Sequence, residues 1–526
     1  MGKPHKKTGM PDEQQFQLFG GVPEKSEPLH LRTAVESGRR FVTGDPDKIF
    51  IGTTRLKDYL CQSHQTAPFE IAKLLDAQDW REFEARYAPT GRAPYCPRRM
   101  LGLILYGVMQ GIHSLRDLER LSRLDLGCMW ITGGIGPDHT NIGRFITMHE
   151  DSLVSSFFES LTRHVLKQTG STSERVAGDG TVIEAACSHF KKLKAEAIRA
   201  RADAAKAAIE KDPDDPDAQQ EKADSDRYLN VLEEREASRK RSGSSLSTLV
   251  ISETEPEAMV QTAKRGRGKA ASYKPSILAN KDRIITALAL DPSSETKVVA
   301  AMLDQNRRVT GDQTTEVLLD AGYFDNGVIT ATLERDISML CPDGKGPGEV
   351  KQGKVYPKSH FMYDEASDSY RCPVGQILSK LKDQAATTTK EAHVIYGTDA
   401  CGTCEKRTDC ISTKRGRRIA RFATDLHRDA LRAVMEQPQV KTVFSQRKAM
   451  VEPVFSHLRG KQGLNRFRRM GLQGVMREFA LHAIAHNISR AVALLRAFIC
   501  LLKGHWRTIW LSEQMFSGAI EKAAVY

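Results

Sequence analysis

Three acidic residues stand where metal-assisted chemistry on a phosphodiester would need them. Arg175-Val176-Ala177-Gly178-Asp179-Gly180-Thr181-Val182-Ile183 reads as a short strand holding an acid, and Val317-Leu318-Leu319-Asp320 as an apolar strand ending in one. Glu452 falls in a stretch of helical pattern. Cutting or joining a phosphodiester is an in-line displacement at phosphorus. Two divalent metals about 3.5–4 Å apart can activate the attacking oxygen and neutralise the leaving one. Mg2+, for which Mn2+ can substitute, prefers a few carboxylates plus waters and substrate oxygens to a full protein cage. Acids on rigid elements, converging from distant positions, suit that demand. Each also has an ordinary reading in a chain carrying 66 Asp and Glu: Asp179 as a turn former, Asp320 as a cap, Glu452 as a helix-surface charge.

A second group with chemistry of its own is Cys401-Gly402-Thr403-Cys404 followed by Cys410, with Cys372 upstream. Four thiolates could hold a structural Zn2+ and staple a loop-rich insertion with little core. Cys341 could replace one ligand. Reduced structural cysteines, or a knuckle that no longer binds metal, account for the same pattern. The ten cysteines are otherwise scattered and do not suggest a secreted disulfide framework.

The elements that must position these groups fall into blocks. With 526 residues, two or three domains are expected. Residues 1–60 are basic, polar and rich in Gly and Pro, and predict a partly disordered arm. Residues 61–170 turn helical, with apolar residues from Met100 to Ile112 at helical spacing and Ser114 placed to cap the helix that follows. Arg116, Arg120 and Arg123 lie along one side of it, as in a helix-turn-helix module or simply on an exposed packing domain.

Residues 171–500 carry the three acids, strands first and helices after, which predicts an α/β domain. Two insertions interrupt it: a helical hairpin over about 188–245, broken at Asp212-Pro213-Asp214-Asp215-Pro216, and a turn-rich, Cys-bearing segment over 336–422. Ile284 to Leu290 and Lys297 to Ala301 are expected as neighbouring strands, and residues 501–526 as a tail.

The net charge is +12, from 78 Lys and Arg against 66 Asp and Glu. Such a surplus suits a polyanionic partner, since cations placed at phosphates release counterions. Clusters at Lys264–Lys269 and Lys414–Arg418 could serve that role or lie in solvated loops. The polar N-terminus has no signal-peptide core, and the apolar run Ala491 to Trp506 contains Arg496 and Lys503. That run is shorter than the roughly 20 residues needed to span a bilayer. No membrane partner is expected, and a cytoplasmic location, at the nucleoid, is.

Phe444-Ser445-Gln446-Arg447-Lys448-Ala449-Met450-Val451-Glu452-Pro453-Val454-Phe455-Ser456-His457-Leu458-Arg459 resembles the third-acid motif of bacterial insertion-sequence transposases of the DDE class. The likeness continues through Gly463, Arg466-Phe467, Gly471 and Leu481 to Asn487. Leu318–Tyr323 resembles the second-acid motif and Gly178–Thr181 the first, while residues 68–151, with Pro137-Asp138-His139-Thr140, resemble the helical N-terminal domain. The resemblance implies an RNase H-like catalytic domain in which Asp179, Asp320 and Glu452 hold a two-metal site. It also implies DNA contacts by Arg447, Arg459 and Lys461, binding to terminal inverted repeats and target DNA, and a homodimer or higher assembly on paired ends.

Phe444 stands where relatives often carry Tyr, so any task of that hydroxyl is absent. Four residues separate Arg447 from Glu452, where some branches have three. A hydrolytic nuclease using the same acids, and a DNA-binding regulator derived from a transposase, are the rival functions. Gln15-Phe16-Gln17-Leu18-Phe19 resembles the peptide by which bacterial proteins dock onto the DNA sliding clamp, and could equally pack on the protein itself.

Overall fold

The computed structural model describes residues 41–523 apart from 189, 243–244, 263–267, 345–355, 387–391 and 412–415. The clamp-like peptide Gln15–Phe19, residues 264–267 of the first basic cluster and 414–415 of the second lie outside the described residues. The described residues divide into two compact units, one made of those in 41–108 and 112–150, the other of those in 151–523 with Met109–Gly111.

The first unit is helical: α1 (Leu56–Gln62), α2 (Ala67–Asp76), α3 (Pro97–Met109), α4 (Leu115–Leu124), α5 (Leu126–Thr132) and α6 (His139–Met148). Residues 41–60, placed by sequence in the arm, have structure here. A hairpin pairs Phe50–Ile51 with Thr54–Arg55, and Leu56 and Leu60 of α1 are buried. Helix α3 is apolar almost all round and is accordingly buried along nearly its whole length.

Ser114 occupies the capping position of α4, yet its side chain makes no capping hydrogen bond. The caps are supplied instead by Asp125 of α5, accepting from the Cys128 amide at 2.7 Å, and Asp138 of α6, accepting from the Asn141 amide at 2.7 Å. His139 then ties α6 to α4 through Glu119, 2.8 Å from its Nδ1.

In the second unit, β1 (Arg175–Gly180), β4 (Lys269–Asn280), β5 (Ile285–Asp291), β6 (Glu316–Leu318) and β7 (Ser338–Leu340) form a mixed sheet in the order β7-β6-β1-β4-β5. Strands β1, β6 and β7 run parallel, while β4 is antiparallel to β1 and to β5. The first half of β4 also pairs with β2 (Ile183–Glu184) and β3 (Met259–Thr262). Strand β4 is buried almost continuously, as a strand covered on both faces must be.

Helices α7 (Ser156–Thr169), α10 (Val299–Thr310), α11 (Asn326–Leu333), α12 (Asp425–Glu436), α13 (Pro438–Gly460) and α14 (Gly471–Ala523) accompany this sheet. Between β2 and β3 the antiparallel pair α8 (Ala195–Lys211) and α9 (Pro216–Ser242) encloses a small core of its own around Ile198, Tyr228 and Leu232.

Two sequence expectations differ from this. Lys297 to Ala301, expected as a strand, is a 3-10 turn leading into α10. A five-residue apolar run cannot separate strand from helix. Met302, Leu303 and Val309, all buried, continue it at helical spacing, and the first two pack into the core under the sheet. Residues 501–523 continue helix α14. The turn-rich Cys-bearing segment folds into a five-stranded antiparallel sheet, β8 (Met362–Asp364), β9 (Ser369–Arg371), β10 (Ile377–Gln384), β11 (His393–Gly397) and β12 (Arg418–Phe422), in sequential order.

Candidate active site

The parallel register of β1 and β6 aligns two of the three acids. Ala177 is level with Leu318, so the positions two further on, Asp179 and Asp320, reach the same edge of the sheet. Adjacent strands lie about 4.8 Å apart, so both carboxylates share one locality. Each uses one oxygen locally: Asp179 Oδ1 accepts from the Gly180 amide at 2.9 Å, and Asp320 Oδ1 from the Gly322 amide at 2.8 Å. Their Oδ2 atoms face a common partner, Arg447, at 3.8 Å from Nη1 and 3.2 Å from Nη2.

The glycines beside Asp179 have packing reasons. A Cβ on Gly178 would collide with the Leu319 side chain, and one on Gly180 would stand 2.7 Å from Cδ of Glu295. Glu295 is a residue that sequence reading missed. It lies between β5 and α10, its carboxylate 3.5 Å from Lys274 Nζ, and no motif marks it. Burial raises Asp179 to a pKa of about 6; the Arg447 charge and the Gly180 amide oppose that rise, and Asp320 and Glu295 add to it.

Helix α13 is laid along β1. Gln446, in its first half, accepts from Arg175 at 3.2 Å, and Arg459, near its end, donates to the Val182 carbonyl at 2.8 Å and to the Thr181 hydroxyl. Glu452 lies between these contacts, exposed, on the same helical stripe as Arg459, seven residues away. The next residue, Pro453, cannot donate to the Ala449 carbonyl, and Arg283 Nε takes that acceptor at 3.2 Å.

The structure therefore brings Asp179 and Asp320 together and sets Glu452 on the helix alongside them. Among the described residues no three His, Cys, Asp or Glu side chains are gathered closely enough to hold a metal ion as they stand. Of the three basic residues expected at DNA, Lys461 is exposed beyond the helix, and Arg459 is partly engaged by β1 and the residues after it. Arg447 differs from expectation: it is buried against the two aspartates.

The remaining residues of the long motif hold the unit together. Arg466 donates to the carbonyls of Ala185, Ala186 and Cys187 at 2.9, 3.0 and 2.7 Å. His486 Nε2 must donate to the Arg283 carbonyl, 2.8 Å away, because a carbonyl only accepts. The neutral ring's Nδ1 is then the acceptor for His457 Nδ1–H at 3.1 Å.

Burial holds His486 down at about 3 from the usual 6.5, and lowers His457 as well. Between those values the unfolded chain binds the proton and the folded one does not, so stability rises with pH and this contribution is complete only above about 6.5. Urea titrations should show stability falling as pH drops from 6.5 towards 4, with a flatter slope in His486→Asn. An unchanged slope would assign the loss to other groups.

Cys372, Cys401, Cys404 and Cys410 all line one cavity of about 20 Å3, together with Phe361 and Arg417. The Gln376 amide donates to Cys372 Sγ at 3.3 Å. Cys341 is not among them. It lies in the core of the large sheet and donates to the Asp320 carbonyl at 3.0 Å, with its thiol pushed up to about 12 by burial. In the first unit Arg116, Arg120 and Arg123 are all exposed and border one hollow with Glu119 and His139.

Residues 371–492 match the family model of a transposase DDE domain, and residues 56–148 that of a transposase domain, DUF772. The first match holds Glu452, Arg447 and the four clustered cysteines, whereas Asp179 and Asp320 precede it. No curated protein matches the chain. Both matched models are of transposase domains. More narrowly, they support an insertion-sequence transposase of the DDE class. A transposase implies a DNA partner, DDE transposases typically use a divalent metal, and an RNase H-like fold is consistent with the mixed sheet. No helix among the described residues is long and apolar enough to cross a membrane.

Proposed function

We propose that this transposase binds the terminal inverted repeats of its element, cuts the DNA there and joins the ends to a target, with Asp179, Asp320 and Glu452 as its metal-holding acids. One observation carries the reading. Two carboxylates from positions 141 apart in sequence (320 − 179) share one sheet edge, beneath the helix that bears Glu452. The strand order, a parallel half joined to an antiparallel hairpin through β1, supports an RNase H-like domain.

Hard carboxylate oxygens suit Mg2+ or Mn2+, and the Arg447 guanidinium between them marks a place where positive charge is stabilised. Asp179, Asp320 and Glu452 would hold the metal, whose chemistry there would be activation of the attacking oxygen and neutralisation of the leaving one. The protein's own part is positional. The Gly180 and Gly322 amides orient the two aspartates, and α13 sets Glu452 along β1. Exposed Lys461 and the arginines of α4 are placed to meet phosphates. Two ends processed together require at least a dimer.

The test is a strand-transfer assay with Mg2+ or Mn2+ on DNA carrying the element's ends. Joined products support the proposal, cutting without joining supports a nuclease, and specific binding without metal-dependent chemistry supports a regulator.

In the same reading the four cysteines would hold a structural Zn2+ after drawing closer than they stand. What supports it is their convergence on one cavity, beside an amide aimed at the Cys372 sulfur, in a sheet whose buried core is small. We expect about one zinc per chain by elemental analysis, loss of it in the Cys401→Ser, Cys404→Ser double variant, and a lowered melting temperature in that variant. Wild-type protein purified without zinc would end this assignment.

A further inference from the structure

We propose that Arg447 is an internal counter-ion that holds Asp179 and Asp320 together before metal arrives, and that a divalent cation must displace it. This rests on the assignment of those aspartates as metal ligands. Register forces the two carboxylates to one edge of the sheet, where like charges would drive them apart or leave one protonated. The cation that meets them comes from a third element. Arg447 is on α13, its side chain 9 % exposed, and its two terminal nitrogens face one carboxylate each.

The geometry is that of a held charge, not of a closed pair. Separations of 3.2 and 3.8 Å exceed the roughly 2.7–2.9 Å of a tight charge-assisted hydrogen bond. Nη1 has no hydrogen-bond partner at all. A bidentate Arg–carboxylate pair would be hard to open; this arrangement leaves each Oδ2 without a short bond to lose. Glu295, against Gly180, adds a third carboxylate to the neighbourhood, with Lys274 Nζ 3.5 Å from it. With Arg447 in place the locality is only partly neutralised, so it still attracts a divalent cation. Without Arg447 the two aspartates lose the cation that faces them both, and metal binding should strengthen while the metal-free fold weakens.

The experiment measures Mn2+ binding by calorimetry, and melting temperature in chelator, for full-length wild type, Arg447→Gln, Arg447→Lys and Asp320→Asn. Arg447→Gln is expected to bind Mn2+ about tenfold more tightly than wild type, and to melt several degrees lower in chelator with the loss recovered by Mn2+. Arg447→Lys, which keeps a cation there, is expected to stay near wild type in both. Should Arg447→Gln be unfolded in chelator, folding on addition of Mn2+ supports the proposal, and failure to fold with Mn2+ overturns it. Mn2+ affinity in Arg447→Gln equal to or weaker than wild type, with binding lost in Asp320→Asn, overturns the counter-ion role alone. Unchanged Mn2+ binding in Asp320→Asn overturns the assignment of the acid pair, and the counter-ion with it.

Discussion

Asp320→Asn is expected to lower strand joining by about a thousandfold or more, which corresponds to roughly 4 kcal/mol of lost transition-state stabilisation. The amide keeps the size of the side chain and can still accept from the Gly322 amide, so the turn after β6 should survive. What disappears is the negative charge facing the site. Binding to the element's ends should change little, because phosphate contacts do not depend on that carboxylate. Retained joining would remove Asp320 from the machinery.

Glu452→Gln should match this loss, and its comparison with Glu295→Gln is the informative one. Glu452 is on the motif helix but exposed, while the Glu295 carboxylate lies against Gly180 and acts on Asp179. If Glu452 is the third acid, Glu295→Gln costs about tenfold at most, through the altered environment of Asp179. The reverse ranking would transfer the role to Glu295.

The second large effect concerns stability. Asn487, fully buried on α14, accepts from the Ile285 amide at 2.8 Å and donates to the Ile285 carbonyl at 2.8 Å and the Thr162 hydroxyl at 3.0 Å. One side chain thus joins α14 and α7 to strand β5. Asn487→Leu keeps the volume and strands these buried partners, at about 3–5 kcal/mol if each unsatisfied group costs roughly 1–3. Chemical denaturation should show the midpoint shifting at an unchanged slope. A loss below about 1 kcal/mol would mean that the helix relaxes or that water takes over the bonds.

Much of this architecture was legible from local pattern. The apolar run ending in Asp320, the short strand around Asp179 and the Pro-Asp break between two alanine- and charge-rich stretches each report a local preference that the fold respects. Glu452 was found through a long helix motif, and the C-x2-C pair through its spacing. Lys297 to Ala301 was misread because a short apolar run is compatible with either element until the packing partner is known. The strands of the cysteine-bearing sheet were hidden for a related reason, since β10 is largely exposed and lacks a hydrophobic stripe to announce it.

The chain's sequence by itself determined which residues could do chemistry and which elements carry them. Acids, thiols and amphipathic patterns are properties of the residues in their own neighbourhoods. Tertiary structure alone decided which of these meet. The register of β1 against β6 pairs Asp179 with Asp320, and the path of α13 along β1 buries Arg447 between them. The same packing brings Glu295 to the glycine that follows Asp179. Such contacts depend on strand register and helix placement over more than a hundred residues of separation, and no local spacing encodes them. The acids with which the sequence reading began are therefore better described as a pair held by a buried arginine, with Glu452 on the helix that supplies it.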